Sequence, residues 1–350
     1  MTTTLNQYPV LHGVADIRME THPLPEIGRD EVLLRMSSVG LCGSDLSLVF
    51  KGSLGDYQLT PPLGIGHEAA GVVQVCGSDV THLKPGDRVA LEPGDPCWKC
   101  DMCRGGHYNV CFTSDFHAAP VPNPGCISRY YKHKAALCHK LPESVSQDEG
   151  AMMEPLSVAI HACRRAHVGV GSSVLICGAG AIGLFCLLAA KAMGATHIIM
   201  TDIRESALKK AKELGADHTL LVKGGEDGKV LADKVERVMG CRPSSTLECT
   251  GVPSSAALAI YATRSSGAVV LVGIGAEDVA LPIFNAAIRE VDIRGTFRYV
   301  DCYPVAIDMV AKGMVDVKPL ITHRFEFQDV TKAFETLRRG SNVIKCVVSC

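Results

Sequence analysis

The chain has 350 residues, 47% hydrophobic and 21% charged, with 35 Lys and Arg against 37 Asp and Glu, for a net charge of −2. That length favours two domains over one enlarged core, and the near-neutral balance gives no electrostatic footprint for nucleic acid or an anionic membrane. Sixteen cysteines in a chain this long, opening on MTTTLNQYPV without a basic segment and apolar run, point to reduced thiols and metal ligation in a cytoplasmic protein rather than to a secreted disulfide scaffold.

The first part, to about Glu154, reads as short strands between turns: Glu31-Val-Leu-Leu-Arg-Met36, Ala70-Gly-Val-Val-Gln-Val75, and Arg88-Val-Ala-Leu91 after the turn Lys84-Pro-Gly-Asp87. Ser146-x-x-Glu149 is a capping box opening a helix that carries Met152, Met153 and Glu154. Pro155 ends or kinks that helix, or begins the next one, so Glu154 sits at a helical break. From Val174 the rhythm changes to strands (Val174–Cys177, His197–Thr201, His218–Val222, Ser245–Glu248, Ala268–Val272, Val291–Thr296) alternating with helices (Ala181–Met193, Glu205–Leu214, Ser254–Thr263). This is the pattern of a doubly wound parallel sheet, an α/β fold. The uncharged stretch from Val174 to Ala190 is near the lower length of a membrane span, but glycines near its start make a strand–turn–helix the better reading, and a soluble protein is expected. A helix near Val330–Arg338 and a strand near Val343–Val348 can finish either domain.

Three constellations carry chemistry. Gly178-Ala-Gly180-Ala-Ile-Gly183 follows an apolar strand and opens a helix, with Asp202 at the end of the next strand. Such a turn brings backbone N–H groups to a pyrophosphate, and the acid accepts from the adenosine ribose hydroxyls, favouring NAD over NADP. Arg204 close by is the residue that would instead pair with a 2′-phosphate. Cys97-x-x-Cys100-x-x-Cys103-x7-Cys111 can surround one tetrahedral Zn²⁺ and close all four positions, so that metal is structural. Cys42, His67 and Glu68 add a separate thiolate, imidazole and carboxylate, the donors of a zinc site with an open position, although sequence separation alone does not bring them together.

Together these segments resemble the zinc-dependent medium-chain dehydrogenase family through nearly the whole chain, most closely its polyol branch. Val39-Gly-Leu-Cys-Gly-Ser-Asp45, Gly66-His-Glu68, Glu154-Pro-Leu-Ser-Val158, Ile160-His-Ala-Cys-Arg-Arg165, Ala287-Ile-Arg-Glu-Val-Asp-Ile293 and Phe297-Arg-Tyr299 carry the likeness. The resemblance implies a GroES-like catalytic domain over residues 1–155, with the structural-zinc lobe at 97–111. A Rossmann domain follows over 156–296, and segment 297–350 returns to the catalytic domain. It implies a cytoplasmic homotetramer with two zinc ions per chain and NAD(H), oxidising the secondary hydroxyl of a sorbitol-like sugar alcohol to the ketose, reversibly. Catalytic zinc would lie on Cys42, His67 and Glu68, with Glu154 as the second acid at metal or polyol. Arg298, Tyr299 and Phe116 would meet substrate; the histidine often seen in the family's proton-exit chain is replaced here by Ser47, so Ser44, Ser47 and water would have to substitute for it. Cofactor contacts would fall at Gly178, Gly180, Ile182, Gly183, Asp202, Val272, Gly273, Ile274, Thr296, Phe297 and Arg298. The chain departs from the family's polyol enzymes where they often carry polar pocket residues: it has Ser47, Leu48 and Ala119, with Val49 and Phe50 changing local polarity, and Ala207 where an arginine is often seen near the adenosine. Fewer polar partners weaken recognition of several hydroxyls, so another secondary alcohol, or a decayed nucleotide-binding protein on the same fold, is the alternative.

Overall fold

The computed structural model describes residues 5–55, 57–116, 125–340 and 342–350. They form two units. One comprises the chain up to Glu154 with Tyr303–Gly313 and Val317–Cys350, the other Pro155–Cys302 with Met314–Asp316.

The first unit is built on a seven-stranded sheet. Its strands run in the order Cys138–Lys140, Arg88–Leu91, Glu68–Cys76, Glu31–Gly40, Lys345–Ser349 and Ile321–Glu326, with Tyr130–Lys134 also paired to Glu31–Gly40. All pairings are antiparallel except that of the last two strands. Because Glu31–Gly40 has neighbours on both edges and layers on both faces, its interior reads as an almost continuous apolar run, with Val32, Leu34, Met36 and Val39 fully buried. The C-terminal strand pairs Val347 with Gly40 and Val348 with Val39, which fixes the tail in this unit. Helix Val330–Arg339 turns Val330, Ala333 and Phe334 into the same core as Leu34 and Leu48. Each fully buried side chain of this size contributes about 1.5–3 kcal/mol.

The capping box forms as the sequence predicts: Glu149 N–H donates to Ser146 Oγ at 3.2 Å, and Ser146 N–H donates to Glu149 Oε2 at 2.9 Å. That helix, Gln147–Ala151, stops at Met152, and a new helix, Met153–Arg165, holds Pro155 in its first turn, where the missing N–H costs nothing. Glu154 therefore stands at the junction of two helices.

The second unit is a six-stranded, wholly parallel sheet in the order His218–Leu221, His197–Asp202, Ser173–Cys177, Ser245–Glu248, Ala268–Leu271, Asp292–Gly295. Strand order reverses at Ser173–Cys177, whose C-terminal end leads into Gly178, so the glycine turn occupies the topological switch point where open α/β sheets bind ligands. With the antiparallel first unit, this is the GroES-like plus Rossmann architecture. Among the described residues no helix is long and apolar enough to cross a membrane.

Candidate active site

The four lobe cysteines converge. Their sulfurs lie 3.5 Å (Cys97–Cys111 and Cys100–Cys103), 3.8 Å (Cys100–Cys111) and 3.9 Å (Cys97–Cys103) apart. A tetrahedron with ~2.3 Å metal–sulfur bonds has edges of about 3.8 Å, so the spacing fits one zinc ion. Backbone amides already turn toward the sulfurs: Cys100 N–H donates to Cys97 Sγ at 3.3 Å and Cys103 N–H to Cys100 Sγ at 3.5 Å. The amides of Lys99 and Cys100 draw the Cys97 thiol down to about 6, toward the thiolate a metal needs. Tyr108 of the same lobe donates to buried Glu92 at 2.7 Å, tying the lobe to the sheet.

A second cluster forms where the central strands of the first unit end. Cys42 precedes helix Gly43–Lys51, while His67 and Glu68 sit at the start of strand Glu68–Cys76; one donor atom from each lies within 4.8 Å of the others. Asp45 joins both segments. One carboxylate oxygen accepts from Cys42 N–H at 3.0 Å, and the other lies 3.2 Å from His67 Nδ1. The buried Nδ1 forms no hydrogen bond among the described residues. Burial alone would raise Asp45, but the charge and contact of His67, the Cys42 amide and Lys345 outweigh it and hold the carboxyl below its ordinary value. Burial likewise opposes charge on His67, yet Asp45 and Cys42 lift it well above the ordinary range. Thiolate, imidazole and carboxylate are zinc donors, and an imidazole oriented by a carboxylate is the usual support for one. Phe116 covers the imidazole, its ring centroid 5.3 Å away.

Lys345 completes the surroundings. It is 2% exposed and donates to both oxygens of fully buried Glu68, at 2.6 Å to Oε2. Burial pushes its ammonium down, but Glu68 first, then Cys42 and also Glu154, raise it above the ordinary value. Glu154 is itself 5% exposed. Ser44 and Ser47 are half-buried on the helix that Cys42 precedes. Leu48 and Val49 belong to the apolar core of this unit, and Phe50 lies under the Arg338 guanidinium at 4.5 Å. Ala119 lies outside the described residues.

In the second unit, Gly178 adopts φ 93°, and a Cβ on Gly183 would overlap the Gly178 carbonyl, so strand and helix close only with glycine at both places. A Cβ on Gly180, by contrast, would meet nothing within 4 Å, and helix Ala181–Ala192 starts there without a side-chain cap. Open space over uncapped N–H groups is the cradle a pyrophosphate fits. Asp202 is 9% exposed; its Oδ2 accepts from Ala179 N–H at 2.7 Å and its Oδ1 from Arg204 N–H at 2.8 Å, with Arg204 Nε at 3.4 Å. The carboxylate thus also braces the turn. Ile182 lies in the first turn of that helix. Val272 and Gly273 both donate to the Glu248 carbonyl at 2.8 Å, closing the strand end beside Ile274. Farther on, Thr296 has a buried Oγ1 without a hydrogen bond among the described residues, half-exposed Phe297 lies under Arg298 at 4.7 Å, and Tyr299 is buried. Arg298 has φ 50°, a left-handed conformation uncommon for a non-glycine residue and often associated with a site.

Residues 28–143 match the alcohol dehydrogenase GroES-like domain, and residues 181–312 match the zinc-binding dehydrogenase domain. Chicken sorbitol dehydrogenase is 51% identical over 99% of this chain and 97% of its own length; the human sorbitol dehydrogenase is 51% identical over 97% and 95%. The chain belongs to the zinc-dependent medium-chain dehydrogenase family. A solved family fold, an Escherichia coli oxidoreductase/dehydrogenase of unknown specificity involved in membrane biogenesis, superposes with a TM-score of 0.92 at 33% identity, covering 99% of both chains. Two residues beside the zinc-donor cluster were not singled out from sequence. Asp45 stood in the Cys42 segment, and its spacing of three from Cys42 at a helix start is a capping signal. Lys345 offered only a weak one, a lone charge between Val343-Ile344 and Cys346-Val347-Val348.

Proposed function

We propose that this enzyme is a zinc- and NAD-dependent polyol dehydrogenase. It oxidises a secondary hydroxyl of a sorbitol-like sugar alcohol to the ketose and reduces the ketose in reverse. The observation that supports the reading is the contrast between two donor sets: the four lobe thiols have the spacing of a complete tetrahedron, whereas Cys42, His67 and Glu68 bring three donors together, and a zinc ion held by three would keep a position for substrate. The metal-bearing unit is then the catalytic domain and the parallel-sheet unit the dinucleotide-binding domain.

Cys42, His67 and Glu68 would hold the zinc, which when bound would supply Lewis acidity toward the reacting oxygen, and the glycine-turn unit would hold NAD as the hydride acceptor. The protein's part is placement. Asp45 fixes the Cys42 backbone and faces the His67 ring, while Phe116 walls off that ring and helps exclude water. Ser44 Oγ takes the hydroxyl proton toward solvent, Glu154 serves at the metal or the polyol, and Arg298 and Tyr299 bind the remaining hydroxyls. The carbon loses a hydride and its oxygen a proton, leaving ketose, reduced cofactor and one released proton. Asp202 favours NAD because a 2′-phosphate would face its buried carboxylate. Gly178, Gly180, Ile182 and Gly183 hold the pyrophosphate side, and Val272, Gly273, Ile274, Thr296 and Phe297 the nicotinamide side. The same reading makes the enzyme a cytoplasmic homotetramer.

The test is a panel of sugar alcohols and simple secondary alcohols with both cofactors, followed by reduced-nicotinamide absorbance before and after chelation and zinc readdition. Sorbitol or xylitol oxidation with NAD, lost and restored with zinc, is expected. Failure of zinc-loaded protein to turn over any polyol overturns the substrate assignment.

A further inference from the structure

The cation beside the donor cluster has no part in the chemistry above. Lys345 and Glu68 begin two strands separated in the sheet by Glu31–Gly40. Gly40 faces Glu68 in register, and a Cβ there would overlap the Glu68 carboxylate and come within 2.9 Å of Met152 Cε. Only glycine leaves the carboxylate room beside the lysine. The ammonium donates to both carboxylate oxygens and, at 3.3 Å, to the Leu41 carbonyl. A carboxylate oxygen of Glu68 is at the same time the donor that lies within 4.8 Å of those of Cys42 and His67. Lys345 and a metal ion therefore address one carboxylate.

We propose that Lys345 is the positioning residue and built-in counter-ion of Glu68, making this carboxylate a weakened, exchangeable zinc ligand and setting how tightly the catalytic site holds its metal. The inference rests on the reading that Cys42, His67 and Glu68 hold the catalytic zinc. Two effects act in one direction. Carboxylate oxygens that accept charge-assisted hydrogen bonds donate less strongly to a metal, and a buried ammonium repels a dication across a medium that screens poorly. Without metal, the lysine keeps a buried carboxylate from standing uncompensated, so the unit can fold before it is loaded. A residue that were only a strut would act oppositely: its removal would misplace Glu68 and loosen the zinc.

The experiment follows zinc release from the loaded enzyme to a chromophoric chelator, with total zinc counted. Cys42→Ser identifies the phase, since the release it lacks belongs to the catalytic site. Lys345→Gln keeps an N–H donor for Glu68 but removes the charge, and it should slow that phase by about tenfold or more, whereas Lys345→Arg should stay within about threefold of wild type. Release from Lys345→Gln as fast as wild type, or faster, overturns the proposal. Lys345→Met, uncharged and similar in reach, gives the same reading should glutamine fold poorly. If both neutral variants unfold without metal, retention by the loaded protein decides: at a chelator concentration that strips half of the catalytic zinc from wild type, more zinc kept by the neutral variants supports the proposal, and equal or less overturns it. A wild type holding one zinc, or Cys42→Ser holding two, overturns the metal reading itself. Two zincs with unaltered release in the neutral variants overturn only the role of Lys345.

Discussion

Replacing Asp202 with alanine separates its two duties. The buried carboxylate accepts from the Ala179 and Arg204 amides at 2.7 and 2.8 Å, and it faces the position of the adenosine ribose in the proposed complex. Unit charges ~4 Å apart repel by about 4 kcal/mol at an effective dielectric of ~20, an upper scale once solvent screens them. Half of that, about 2 kcal/mol, corresponds to about 30-fold in a rate or binding ratio. Asp202→Ala should therefore raise the NADP/NAD ratio of kcat/KM by about 10- to 100-fold, with Arg204 still beside the site to meet a 2′-phosphate. It should also lower stability by about 1–3 kcal/mol, because the Ala179 amide is buried and loses its acceptor. Initial rates with each cofactor at saturating polyol, alongside chemical unfolding, read the two effects independently. If both cofactors lose efficiency equally and the ratio stays put, the carboxylate only braces the glycine turn, and the argument for NAD selection is wrong.

Asp45→Asn should weaken zinc binding at the Cys42 cluster by about 10- to 100-fold, the usual cost of losing a carboxylate that orients a metal-ligating imidazole, while leaving the lobe zinc in place. Equilibrium competition with a chelator measures it, and unchanged affinity would separate Asp45 from the site. Cys100→Ser should remove the lobe zinc and lower the thermal midpoint, because three thiols no longer complete the tetrahedron; a variant with full zinc content and an unaltered midpoint would contradict the structural assignment. His133 gives a pH dependence. Burial, only partly opposed by the Glu92 carbonyl at 2.9 Å and nearby acids, brings it from 6.5 to about 4, so it stays neutral when folded and takes up a proton on unfolding. Stability present above pH 6.5 should fall as pH drops toward about 4, by about 3 kcal/mol from this group. His133→Gln should lose correspondingly less across that window in urea unfolding; an identical loss would refute the attribution.

Local chemistry was readable in the sequence wherever it decides structure. The glycine turn, the Ser146–Glu149 capping box, the strand at Arg88–Leu91 and the six parallel strands follow from turn residues, caps and apolar runs that act within a few positions. Helix Gly228–Met239 was less visible because it begins in a polar, glycine-rich stretch, yet the Asp227 side chain caps it by accepting from the Lys229 and Val230 amides. Position in the sheet was not readable for the tail: a strand pattern near Val343–Val348 does not reveal that its partner is Glu31–Gly40, some 300 residues earlier. The same limit hid the Glu68–Lys345 pair, whose members are 277 residues apart.

The most direct test counts zinc and turnover together in wild type and Cys42→Ser. Wild type should carry two zinc ions per chain and oxidise a sugar alcohol with NAD; the variant should remain folded, keep one ion in the cysteine lobe and lose polyol oxidation. A variant that retains both ions, or one that still forms ketose at the wild-type rate, would contradict a catalytic metal at Cys42.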